Sequence, residues 1–195
     1  MKATVYTALA LAIGMTAACG GGTRQNDNDA VGTAGEGAPR AVQRFVHEVA
    51  VGNAAEIELS RMATQKSANA EVKQFAEMMV RDHTAAGTDF KQMLDRHNMQ
   101  VDESLDDKHR DASQELSRLN GAQFDHKYME VMVDDHAQME DLLEGRANET
   151  PNNQPLENDV NQWAAKTLPT VKHHLEMARQ LENKVEDSPR RNTTQ

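Results

Sequence analysis

Cys19 is the only cysteine among 195 residues, so an internal disulfide is excluded and the fold must rest on packing, even in an oxidising compartment. Aromatic residues are scarce, at 4% of the chain. A wide β-sandwich draws on aromatic and β-branched side chains and is poorly supplied here, whereas 38% hydrophobic residues suffice for a lean helical core. Cations are also short: 21 Lys and Arg face 31 Asp and Glu, for a net charge of −10. Nucleic acid is therefore excluded as a partner, because a phosphate backbone is held by clustered Lys and Arg. No nucleophile elbow, phosphate loop, zinc-ribbon spacing or dinucleotide fingerprint occurs. No catalytic residue is assigned, and the reading leans away from an enzyme.

One apolar run stands out. Lys2 precedes Ala3 to Met15, the length of a signal-peptide core and too short to span a bilayer's hydrocarbon layer of about 30 Å as a helix. The run ends in Thr16, Ala17, Ala18 and Cys19, which resembles the bacterial lipobox with Thr16 at the place usually held by Leu. A signal peptide over 1–18 is expected, with Cys19 lipidated and the membrane engaged through its acyl chains. An ordinary signal peptide with Cys19 incidental is the alternative. Gly20 after the cysteine resembles lipoproteins sent to the outer membrane, so the expected address is the periplasm or outer membrane. Residues up to Pro39, rich in Gly, Asn, Asp and Thr, read as a flexible tether completing the segment 19–39.

The folded domain is expected over 40–187, with a disordered tail over 188–195. Val42, Phe45, Val49, Gly52, Glu56, Leu59 and Ala63 alternate in steps of three and four, the stripe of an amphipathic helix. A second helix carries Phe75, Met79, His83, Ala86, Phe90 and Leu94 on one face. Ser104 with Asp107 predicts the cap of a third, holding Leu105, Ala112, Leu116 and Leu119 and stopped by Asn120 and Gly121. A fourth holds Tyr128, Met132, His136, Met139 and Leu143. The fifth runs from Leu156 to about Glu186, with Pro169 kinking or splitting it.

FAEMMVRDH at Phe75 to His83 returns as YMEVMVDDH at Tyr128 to His136, and ELSRM at Glu58 to Met62 returns as ELSRL at Glu115 to Leu119. The offsets are 53 and 57 residues, which predicts a duplicated helix pair with a length change between its helices. Two such hairpins make a four-helix bundle.

VKQFAEMMVRDHTAA (Val72 to Ala86), FDHKYMEVMVDDH (Phe124 to His136), WAAKTLPTVKHHLEMA (Trp163 to Ala178) and AEIELSRMA (Ala55 to Ala63) resemble the signature stretches of domain-of-unknown-function family 4142. The resemblance spans about Arg40 to Asn183. It implies export, a ferritin-like fold and no settled activity, so with the repeat and Pro169 the expected architecture is all-α: a ferritin-like four-helix bundle from a duplicated hairpin, plus a Pro-kinked C-terminal helix.

One histidine lies on the apolar stripe of each of three helices, His83, His136 and His174, and Glu56 holds the equivalent place in the first. Inward Glu and His from four helices suit a transition metal, and Zn, Fe, Mn and Cu are the candidates. A di-iron centre is disfavoured: its pattern puts Glu three residues before His, where Val80 and Val133 stand. Glu77 and Glu130, six residues before their histidines, point about 120° away. The repeat position of Glu56 falls near Ser113, so the site is asymmetric. Met79, Met132 and Met177, three or four residues from these histidines, read as core filler or, with imidazole, as soft ligands for Cu(I). Asp82 and Asp135 turn about 100° away and read as salt-bridged or solvated surface carboxylates, and Asp135 joins Asp106, Asp107, Asp134, Glu140 and Asp141 in an acidic outer face. His173 replaces His174 if the last helix is rotated. His47, His97, His109 and His126 read as surface residues. The competing expectation is a metal-free structural or stress-related interaction protein, its histidines bonded to one another, to Glu56 or to water.

Overall fold

A computed structural model describes residues 38–186. The expected leader over 1–18, the lipidated Cys19 with all but the last residues of the tether, and the tail over 188–195 lie outside the described residues. Five helices follow in order: α1 (Arg40–Lys66), α2 (Ala70–Asp95), α3 (Asp107–Arg118), α4 (Gly121–Ala147) and α5 (Pro155–Glu186). No strand occurs among the described residues. The fold is an all-α bundle, as the stripes predict.

Local chemistry sets the ends of these helices. Asn69 caps α2, its side chain accepting from the Glu71 and Val72 amides at 2.8 and 3.4 Å. Asp106, rather than Ser104, caps α3, accepting from the His109 amide at 2.9 Å; Leu105 is left outside the helix. Gly121 does adopt a left-handed φ of +55°, at the joint where α4 starts. Pro155 opens α5, where its missing N–H costs nothing. Pro169 sits inside α5, which continues through it as one helix.

The bundle pairs α1 with α2 and α4 with α5, and closes through α1 against α4 and α2 against α5. Its fourth long helix is thus α5. The repeat partner of α1, α3, has 12 residues and packs across α1 and α4. Lys66 holds it there, donating to the Leu116 and Ser117 carbonyls at 3.0 and 2.6 Å, where a cation also suits the helix's C-terminal dipole.

Two hydrophobic cores result, one on each side of a polar layer. The first gathers Leu59, Phe75, Met79, Phe124, Tyr128 and Met132 with α5 residues from Ala178 onward. The second gathers Phe45, Val49, Phe90, Leu94, Leu143 and Val171. Antiparallel neighbours meet in register, so each long helix crosses from one core to the other once. Burial of such side chains contributes roughly 1.5–3 kcal/mol apiece relative to exposure. The Tyr128 hydroxyl is matched within the core by Ser60, 2.8 Å away.

His109 is buried rather than on the surface, and so is Asp135. His109 Nδ1 donates to Asp106 Oδ1 at 2.6 Å and Nε2 lies 3.7 Å from Asp135 Oδ2, while Lys108 reaches Asp135 Oδ1 at 2.6 Å. These ion pairs pin α3 to α4. Asp135 above all, with Asp106 adding, raises the His109 pKa against the opposing effect of burial. A group that holds its proton more tightly when folded stabilises fully below its unfolded value of about 6.5, and that contribution fades as pH rises through the folded value. From about pH 6.5 upward, the protection of α3 amides against exchange, taken relative to the hydroxide-catalysed intrinsic rate, should therefore fall in the wild type but not in His109→Gln. Coinciding pH profiles for the two proteins would rule the pin out.

Candidate metal centre

Each long helix delivers one polar side chain to the layer between the cores: Glu56 from α1, His83 from α2, His136 from α4 and His174 from α5. They are 3, 9, 1 and 2% exposed. The three imidazoles form a nearly equilateral triangle, with centroid separations of 5.5 Å for His83–His136 and 5.6 Å for each of the other pairs. One nitrogen of each ring lies within 4.8 Å of its counterparts.

The outward nitrogens are all bonded to oxygens that can only accept. His83 Nδ1 donates to Asn53 Oδ1 at 3.2 Å, His136 Nδ1 to the Met132 carbonyl at 2.9 Å, and His174 Nε2 to Asp82 Oδ2 at 3.3 Å. Those bonds place a proton on each outward nitrogen. Of the nitrogens left over, His136 Nε2 and His174 Nδ1 are buried and without a partner, while buried His83 Nε2 has only Glu56 Oε2, 2.9 Å away. Unpaired buried polar atoms are costly, and two from two helices in one layer need a physical reason.

Glu56 lies against two of the rings. Its Oε2 is 2.9 Å from His83 Nε2, an ion-pair distance without the alignment of a hydrogen bond, and its Oε1 is 3.2 Å from His136 Nδ1. Burial pushes the Glu56 carboxyl up, but His136 and His83 outweigh it and hold the pKa at about 2. Burial likewise opposes the charge on His83, while Glu56 and Asp82 raise its pKa. His174 is pushed down to about 4 by burial and by the neighbouring His136 and His83. At neutral pH the layer thus offers an ionised carboxylate and, from His174, a neutral imidazole.

All four residues singled out from the sequence share this layer, with Glu56 beside the histidine triangle. His173 is exposed and takes no part. Glu77 is exposed and Glu130 pairs with Lys127, so neither enters the site. Met79, Met132 and Met177 pack within the first core. Of the histidines read as surface, His97 bonds to Asp159 at 2.9 Å and His126 faces Glu186 at 3.6 Å, while His47 has a buried Nδ1. Two contributors escaped the sequence reading. Asp82 does pair with Arg81 at 3.0 Å, yet it also reaches across to His174 on α5. Asn53 lies one turn before Glu56 on the same side of α1, which was its available signal.

The fold is similar to that of two solved DUF305 proteins. A fragment from Deinococcus radiodurans matches with a TM-score of 0.64 at 15% identity, over 75% of this chain and 97% of that one. A protein from Streptomyces coelicolor, whose name proposes that it is secreted, matches with a TM-score of 0.59 at 13% identity, over 75% and 94%. At such identities the likeness concerns the fold alone. Among curated proteins, none matches. The model of the family described as "Domain of unknown function (DUF4142)" matches residues 29–181, most of the sequence, and the chain belongs to that family.

Proposed function

We propose that this protein is an envelope-exported, lipid-anchored bundle whose core binds a divalent transition metal through His83, His136 and His174, with Glu56 as the charged fourth ligand. One observation carries the reading: each imidazole spends one nitrogen on an oxygen acceptor, and of the other three, which lie together, His136 Nε2 and His174 Nδ1 are buried with no partner while His83 Nε2 meets only Glu56 Oε2, at 2.9 Å. Metal-ligating histidines are oriented in this way, the second-shell oxygen fixing the tautomer and raising the basicity of the ligating nitrogen. Three nitrogens and one carboxylate suit a borderline ion such as Zn or Fe better than a hard one, and the methionines held in core packing argue against a Cu(I) site. A metal-free structural role draws support from the Glu56 ion pairs, which hold two of the histidines without any ion.

Elemental analysis of the mature protein, purified without tag or chelator, tests the reading. About one ion per chain is expected, or uptake of one when Zn or Fe(II) is added. A fully helical protein that takes up neither overturns it. The anchor rests on the sequence around Cys19, and a structural neighbour whose name proposes secretion is in keeping with export. Mass spectrometry of the mature N-terminal peptide should find Cys19 acylated, and Cys19→Ser should move the protein to the soluble fraction; an unmodified Cys19 in membranes would refute the anchor.

A further inference from the structure

We infer that the groove between α1 and α2 is the route by which the ion reaches the histidine layer, and that Asn53 is its gate; this rests on the metal-binding reading above. An open cavity of about 500 Å³ lies on that face, and a narrow one of about 20 Å³ lies beside it under Trp163. Asn53, Gly87, Lys91 and Glu103 line both. Asn53 is half-buried, and its other end accepts from His83 Nδ1. A single side chain therefore belongs both to the solvent-filled groove and to a histidine of the centre.

Gly87 is what lets it do so. A glycine inside a helix costs about 1 kcal/mol relative to alanine, and Gly87 stands well inside α2, one turn beyond His83. A Cβ placed there would come within 2.6 Å of Asn53 Nδ2, whereas one at Gly145 of α4 would meet nothing within 4 Å. The amide thus occupies the space that a side chain at position 87 would fill. Swinging away, it would uncover the edge of His83 to the groove. Oppositely charged groups line the groove, Glu58 and Glu103 against Arg61 and Lys91, so the field of the rim discriminates little. Passage is decided where a hydrated cation must cross between the apolar walls, at a polar amide that can replace part of its water.

The test uses the mature protein, Co(II) as the probe and two substitutions at one position. Asn53→Ala and Asn53→Leu both remove the bond to His83, so any change in affinity caused by its loss is common to them. Alanine leaves the opening clear and leucine plugs it with apolar bulk of similar size. Stopped-flow absorbance should show Asn53→Ala taking up Co(II), and releasing it to a chelator, faster than Asn53→Leu by about tenfold or more, because a cation sheds water past an apolar plug only at a steep cost. Their dissociation constants should agree within about threefold, far less than the tenfold kinetic difference. Equal rates in the two variants, with wild-type protein binding Co(II), overturn the gate and leave the metal centre standing. A rate change in Asp82→Asn alone would place entry on the opposite side, at His174. Wild-type protein that binds no Co(II) overturns the metal centre and the gate together.

Discussion

His136→Ala is expected to purify free of metal while remaining helical. His136 is the most enclosed of the three histidines, at 1% exposure, and is flanked in α4 by the core residues Met132 and Leu143. Loss of a second-shell partner alone weakens metal affinity by roughly 10–100-fold, so loss of a ligand should exceed about a hundredfold. His83→Ala and His174→Ala should behave alike, since the triangle gives each ring the same separation from the others. Far-UV circular dichroism with metal analysis on the same samples checks the expectation. A variant that keeps its ion would remove that histidine from the ligand set. Three metal-free variants with unchanged melting temperatures, beside a wild type that binds no ion, would leave the histidines without a stabilising role of either kind.

Glu56→Ala should give the largest loss of stability in the metal-free protein, about 3–5 kcal/mol at neutral pH, because removing one partner of a buried ion pair leaves the other charge uncompensated. The carboxylate is 3% exposed and faces His83 and His136 at 2.9 and 3.2 Å. Glu56→Gln keeps the shape and an acceptor oxygen, and should lose less. Urea unfolding of both variants after chelator treatment measures the difference. Equal losses would mean that charge alone is what Glu56 supplies, and an unaffected Glu56→Gln would mean that it supplies shape rather than charge. A stabilised Glu56→Gln would mean that its desolvation outweighs its pairing.

The helices and their buried faces were legible in the sequence because spacing alone reports which residues share a face. All seven stripe positions of α1, from Val42 to Ala63, are buried, Glu56 included. The three histidines were legible for the same reason: each interrupts an apolar stripe. Which helix faces which is a property of tertiary packing, and periodicity carries no record of it. Asp82 therefore read as a surface carboxylate, being 100° from His83 on its own helix, although α5 brings His174 to it. His109 and Asp135 read as surface groups on helices considered singly, until α3 lies across α4 and buries both. The repeat was real in sequence, yet α3 is too short to stand where α1 does, and α5, which has no repeat partner, takes that place. Asn53 and Gly87 carried only the signal of lying one turn from Glu56 and His83.

The polar layer lies where each long helix passes from one hydrophobic core to the other, and its three histidines come from segments far apart in the chain. An ion held there by these three and Glu56 would tie α1, α2, α4 and α5 near their midpoints and close three loops of the polypeptide. Loop closure of that kind restricts the unfolded chain, the principal means by which a disulfide stabilises in the chain-entropy view. With a single cysteine, this sequence has no cross-link of its own inside the domain. The histidine layer would give it a removable one, fastened when metal is present and undone when it is withdrawn.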